Sequence, residues 1–199
     1  MLVANVDDDP VVGYSGFMRM CAATAVLPMS LVVVYLFSVR YDALNRVRRN
    51  PYRELQTNIV MLAAVSFMTS AFSTLLFVVI EVIGNGGAVM ARLWSSALMM
   101  LVQLVMMNVS VGLFVLVLVN SGFSFNHVLP VVITVLLLAN WFLLPFAGHL
   151  ERYVLYFWYP LGSSWSLVTV QQVIPFCGYC IILVLANGLA FEHTDRLEA

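Results

Sequence analysis

Long apolar runs alternate with short polar segments along this chain of 199 residues. Each run is about 20 residues long, the length that an α-helix needs to cross a hydrocarbon core of ~30 Å. The runs are continuous and do not alternate with a period of two, so they predict helices instead of the strands of a membrane barrel. Five spans are expected, near residues 20–39, 58–80, 94–119, 128–146 and 167–191.

The boundary near residue 120 depends on a turn signal, because no charged residue falls between Arg92 and Glu151. A single helix over that stretch would be far longer than a bilayer is thick. The polar, glycine-containing stretch 120–127 predicts a turn between two spans. The expected fold class is therefore all-α, a polytopic transmembrane helical bundle.

The basic residues predict the orientation of this bundle. Five of the nine arginines lie in the first segment between spans: Arg40, Arg46, Arg48, Arg49 and Arg53. Because arginine-rich short loops stay on the cytoplasmic side, we expect the N-terminus outside and the C-terminus inside. The chain then divides into an outer tail over 1–19, one transmembrane bundle over 20–191 and an inner tail over 192–199.

Composition excludes several classes of function. The chain is 62% hydrophobic and 10% charged, which is too little charge for the surface of a soluble enzyme or a nucleic-acid binder. The spans hold almost no ionisable residue, which argues against proton-coupled transporters and voltage sensors. There is no lysine, which excludes retinal bound as a Schiff base. No cofactor or metal is predicted, and bound lipid is expected.

Uncharged polar residues are the main chemistry of the spans. They are Gln103, Asn108, Asn140, Gln171, Gln172 and Asn187. Side-chain amides form hydrogen bonds between helices in lipid, so we expect contacts inside the bundle or with partner helices. The alternative is that they line a path for a substrate.

Two cysteines form a CxxC pair in the segment Ile174-Pro-Phe-Cys-Gly-Tyr-Cys180. Cys177 and Cys180 are close enough in sequence for a redox pair. The segment resembles the membrane thiol oxidoreductases of the vitamin K epoxide reductase and disulfide-bond-forming B type, which are small helical bundles whose CxxC works beside a quinone. Those families use a second cysteine pair, whereas this chain has a single further cysteine, Cys21. The alternative is that both are small apolar helix residues.

Two segments are candidates for lipid or partner contact. The five arginines listed above suit anionic headgroups or an acidic partner. The aromatic segment after residue 148 suits a headgroup belt, with a short interfacial helix near 149–159, or a docking surface for another subunit. Its main candidates are Tyr153, Trp158, Tyr159 and Trp165.

These features predict a non-catalytic integral membrane subunit that packs within a larger membrane assembly. Membrane lipids and other membrane protein subunits are its expected partners, and nucleic acid is not. One alternative is a receptor-like serpentine protein, because the external N-terminus and basic first inner loop resemble heptahelical receptors in outline. Further alternatives are a quinone-linked thiol oxidoreductase using Cys177 and Cys180, and a homo-oligomeric channel.

Overall fold

The computed structural model describes residues 51–85, 90–124, 127–132, 134–135 and 173–198. These residues are helical apart from the turn at 121–124, and no strand occurs among them. Three long helices stand out: α1 (Pro51–Asn85), α2 (Met90–Asn120) and α3 (Ile174–Glu198). Each contains a segment long and apolar enough to cross a membrane, and this supports an integral membrane protein. The segments are Leu55–Ile80, Ala97–Asn120 and Ile174–Glu192.

The described helices correspond to the spans expected near 58–80, 94–119 and 167–191, and each helix runs past the C-terminal end of its span. α1 begins at Pro51, where proline is favoured because the first helical residue needs no backbone N–H partner. α3 continues to Glu198, so most of the expected tail at 192–199 is helical. The span at 20–39 and the interfacial helix at 149–159 lie outside the described residues.

The predicted turn after α2 has a defined hydrogen-bond pattern. Gly122 has a φ of 93°, in the left-handed region that favours glycine. Its N–H donates to the Val119 carbonyl at 3.0 Å, and the Phe123 N–H donates to the Leu118 carbonyl at 3.2 Å. This pair of bonds is the Schellman motif, which satisfies carbonyls at a helix end. Helical structure resumes at His127, where the fourth span was expected, and most of that span lies outside the described residues.

α2 is the central helix of the described part of the fold. It packs against both α1 and α3, and these two touch each other much less. Of the apolar segments, 61% of the one in α2 is buried, against 28% in α1 and 11% in α3. Among the described residues, the outer helices are therefore mostly uncovered.

The contacts also give the direction of each helix. α1 and α2 form a hairpin, since a connection of four residues, 86–89, separates them. Asn187, in the middle of α3, bonds to Leu113 and Asn120 in the last turns of α2. Leu183, one turn earlier in α3, clusters with Leu113. Positions further along α3 thus meet positions further along α2. The two helices run in the same direction, opposite to α1.

One apolar cluster joins the three helices. It consists of Leu62 from α1, Leu113 from α2 and Leu183 from α3, and is called the leucine cluster below. Beside it, Gly112 lets the two backbones of the hairpin approach: a Cβ at that position would lie 2.4 Å from Leu62 Cδ1. Small residues allow such close packing between helices in lipid, where dispersion contacts replace the hydrophobic effect.

Candidate functional site

A stripe of small hydroxyl side chains runs along the face of α1 that meets α2. It consists of Ser66, Ser70, Ser73 and Thr74, all buried, and is called the polar stripe below. The spacing of three and four residues places them on one side of the helix. Buried hydroxyls in such a row let helices pack closely and supply hydrogen bonds across the contact.

One hydrogen bond connects the polar stripe to α2. Asn108 Nδ2 donates to Ser70 Oγ at 3.0 Å, between residues 38 positions apart in the chain. Asn108 lies at the centre of the apolar segment Ala97–Asn120, and Ser66 and Ser70 lie near the centre of Leu55–Ile80. This group of Ser66, Ser70 and Asn108 therefore lies far from both ends of the two segments, and we call it the central polar group.

The central polar group is incompletely hydrogen-bonded. Ser66 Oγ and Asn108 Oδ1 are buried without a partner. The threonine hydroxyls of α1 behave differently: Thr57, Thr69 and Thr74 donate to carbonyls one turn earlier at 2.7, 2.8 and 2.9 Å. An unpaired buried polar atom costs more free energy in an apolar environment than a typical hydrogen bond contributes. The central polar group therefore has capacity to bind a hydrogen-bonding species.

A second asparagine holds α3 against α2. The side chain of Asn187 is completely buried. Its Nδ2 donates to the Leu113 carbonyl at 3.1 Å and to the Leu183 carbonyl of its own helix at 2.9 Å. Its Oδ1 accepts a bond of 2.9 Å from Asn120 Nδ2. Both amide hydrogens and the oxygen are thus paired, and two of the three bonds cross between helices.

The other amides predicted as interhelical fall into two groups. Gln103 is fully buried on α2, at a position covered by protein and not open to lipid. Asn140, Gln171 and Gln172 lie outside the described residues. The structure therefore brings Asn108 to Ser70 and Asn187 to Asn120, and it places these two pairs at different levels of the bundle.

The two cysteines lie early in α3 in different surroundings. Cys177 is exposed, whereas Cys180 is partly buried against the leucine cluster. Neither is in a disulfide. Gly178, between them, has open space where a Cβ would be. The pair therefore lies mostly on the outer surface of the described bundle, and its redox role stays a hypothesis.

Of the residues predicted to contact lipid or partners, one is among the described residues. Arg53 lies in the first turn of α1 and is exposed. The other candidates lie outside the described residues: Arg40, Arg46, Arg48, Arg49, Tyr153, Trp158, Tyr159 and Trp165. Within the described ranges, no group of three His, Cys, Asp or Glu residues could hold a metal ion.

No protein family, curated protein or solved structure matches this chain. Its function is therefore inferred from its own residues. The sequence reasoning missed the polar stripe and Gly112, although the spacing Ser66, Ser70, Thr74 is visible in the sequence. A repeat of small residues every four positions in an apolar run is a known signal for close helix packing.

Proposed function

We propose that this chain is a non-catalytic integral membrane subunit that packs within a larger membrane assembly. The observation that carries the proposal is how the described spans use their polar groups. Asn108 and Asn187 are buried and hydrogen-bonded to neighbouring helices. Beyond Gln56, the exposed side chains of the segment Leu55–Ile80 are all apolar. The buried polar side chains thus bond one helix to another, and the exposed apolar side chains form a surface on which other helices can pack.

α3 supplies the largest share of that surface. Only 11% of its segment is buried, and the buried residues Leu183 and Asn187 both contact α2. Large side chains such as Ile182 and Leu185 are exposed. A helix that is buried on one face leaves the rest of its circumference for neighbouring helices, which associate in lipid by close packing.

The direction of the helices supports a chain that crosses the membrane five times. Because α2 and α3 run the same way, this proposal includes an odd number of returns across the membrane between Asn120 and Ile174. One return fits the span expected at 128–146, and a first span at 20–39 completes five. The helical residues that begin at His127 support this return.

The same directions support the proposed orientation. α1 begins beside Arg53, which follows the other arginines of the first loop, and α3 ends on the side where α1 begins. With the arginine-rich loop inside, the C-terminus is also inside and the N-terminus is outside. Tags at the C-terminus and in the loop at 40–50 should have the same accessibility from one side of sealed vesicles.

Site-specific photocrosslinking in the native membrane tests the subunit role. A photoreactive residue at Ile182, which is exposed, should form adducts with another protein. The matched control is the neighbouring Leu183, which is buried against α2 and should give no intermolecular adduct. If Ile182 captures lipid alone and the chain purifies as a monomer without companions, the proposed function is wrong.

A further inference from the structure

We propose that one water molecule binds between α1 and α2 in the central polar group, bridging Asn108 Oδ1 and Ser66 Oγ. Both atoms are buried without a protein partner, and both residues are at most 1% exposed. The site holds whether or not the chain belongs to a larger assembly, because it lies inside the α1–α2 hairpin.

Ser66 and Asn108 both lie at the contact between α1 and α2. Ser66 and Ser70 are one helical turn apart on the same face, so their hydroxyls are separated by about 5–6 Å. Asn108 is bonded to Ser70 at 3.0 Å, and the Leu62 side chain packs against Gly112 one turn before Ser66. Ser66 thus lies between two points where α1 touches α2. Asn108 is thus held about one helical turn from Ser66, and a water that makes two bonds of about 2.8 Å bridges atoms at such a separation.

The chemistry of the group favours water over other ligands. Asn108 Oδ1 can only accept a hydrogen bond, whereas the Ser66 hydroxyl can donate or accept. Water can donate to the amide oxygen and pair with the hydroxyl at the same time. Buried waters typically make about three hydrogen bonds to protein groups that would otherwise be unpaired. A backbone carbonyl of α1 has a second lone pair for the remaining hydrogen.

A metal cation or a larger molecule fits less well. The segments Leu55–Ile80 and Ala97–Asn120 contain no charged residue, so a cation here would have no counter-charge in either helix. An isolated charge near the bilayer centre is costly. A larger molecule is excluded on one side, since Leu62 already fills the space in front of Gly112. Water is the small neutral ligand that satisfies both atoms.

A structure of the full chain in lipid that resolves ordered water tests the proposal directly. The expected result is one water peak within hydrogen-bond distance, about 3.2 Å or less, of both Asn108 Oδ1 and Ser66 Oγ. A direct bond between the two side chains, or a dry contact, would overturn the proposal.

A double-mutant cycle tests the same water bridge through the unfolding equilibrium of the chain in mixed micelles. Ser66→Ala and Asn108→Leu should be coupled, so that their combined effect on the unfolding equilibrium constant differs from the product of the single effects by about threefold or more. The matched control is Ser110→Ala, which also removes a buried, unpaired hydroxyl. Ser110 lies on the opposite side of α2 from Asn108. The effects of Ser110→Ala and Asn108→Leu on the unfolding equilibrium constant should therefore multiply to within about twofold. If Ser66→Ala and Ser110→Ala are coupled to Asn108→Leu to the same degree, the proposed water bridge is contradicted.

Discussion

Asn108 and Asn187 are both buried amides on apolar helices, yet their hydrogen bonds are completed to different degrees. Asn187 has both amide hydrogens and its oxygen paired, whereas Asn108 has one bond to Ser70 and an unpaired oxygen. Asn187 lies in the last third of its apolar segment, Ile174–Glu192, and Asn108 lies at the centre of its own, Ala97–Asn120. The same side chain is therefore fully hydrogen-bonded in one place and keeps an acceptor atom without a protein partner in the other.

The contacts around these residues differ in the same way. The α1–α2 contact has the polar stripe, Leu62 and the close approach at Gly112, so shape complementarity holds it together. The α2–α3 contact contains Leu183 and the two bonds of Asn187 that cross between the helices. Helices in lipid associate through packing and hydrogen bonds, and the two contacts weight these terms differently. Packing changes should affect α1–α2 most, and loss of an amide should affect α2–α3 most.

Leu62→Ala should have the largest effect on stability, because Leu62 belongs to the cluster that joins all three helices. Removing a fully buried leucine side chain from a packed core costs about 2–5 kcal/mol of unfolding free energy. Reversible unfolding in mixed micelles with increasing denaturing detergent measures it. Leu185→Ala is the control, since Leu185 is exposed on α3. A loss for Leu62→Ala no greater than for Leu185→Ala would show that the leucine cluster does not join the helices.

Gly112→Leu should rank second and should act on the α1–α2 contact. Even a Cβ at this position would lie 2.4 Å from Leu62 Cδ1, so a leucine forces the helices apart, with an expected cost of about 1–3 kcal/mol. Gly178→Leu is the matched control, because a Cβ there meets nothing within 4 Å. Adding Leu62→Ala to Gly112→Leu should recover part of the loss. If Gly178→Leu destabilises the chain equally, the loss arises from the added side chain itself and not from this contact, because leucine is a better helix former than glycine.

Asn187→Leu should destabilise the chain by about 1–2 kcal/mol, and Asn108→Leu by about 0.6 kcal/mol, since interhelical bonds in membranes average near 0.6 kcal/mol each. Asn187 loses two bonds between helices and Asn108 loses one. The same micelle titration measures both. The order is the sharp part of the prediction: an equal or larger loss for Asn108→Leu would mean that the central polar group, and not the Asn187 contact, is the stronger hydrogen-bonded link.

The three described spans could be predicted from sequence because a helix in lipid has to satisfy its own backbone, and twenty apolar residues are sufficient to signal that. The partners of the amides could not. Asn108 pairs with Ser70, 38 positions away, and Asn187 pairs with Leu113, 74 positions away. Those pairs depend on the rotation and height of each helix relative to its neighbour, which packing decides.

The helix ends show the same limit. Gly122 marks the end of α2 in the sequence because a left-handed residue is needed there. The continuation of α3 to Glu198 has no comparable signal: residues 193–198 are polar enough to suggest a tail, yet they contain no glycine or proline to stop a helix.

Substitutions of the two cysteines should have the smallest effects on the unfolding free energy. They distinguish a residue at the α2–α3 contact from one on the outer surface of α3. Cys177→Ser should change the unfolding free energy by less than about 0.5 kcal/mol, as exposed substitutions usually do. Cys180→Ser should cost more, because Cys180 packs against the leucine cluster and the new hydroxyl loses that contact. In the folded chain, a small membrane-permeable maleimide should label Cys177 faster than Cys180, with each serine variant identifying the labelled site by mass spectrometry. Equal labelling rates would contradict the difference in burial between the two cysteines. If adding a quinone formed a disulfide between Cys177 and Cys180, that result would favour the thiol oxidoreductase over the non-catalytic subunit.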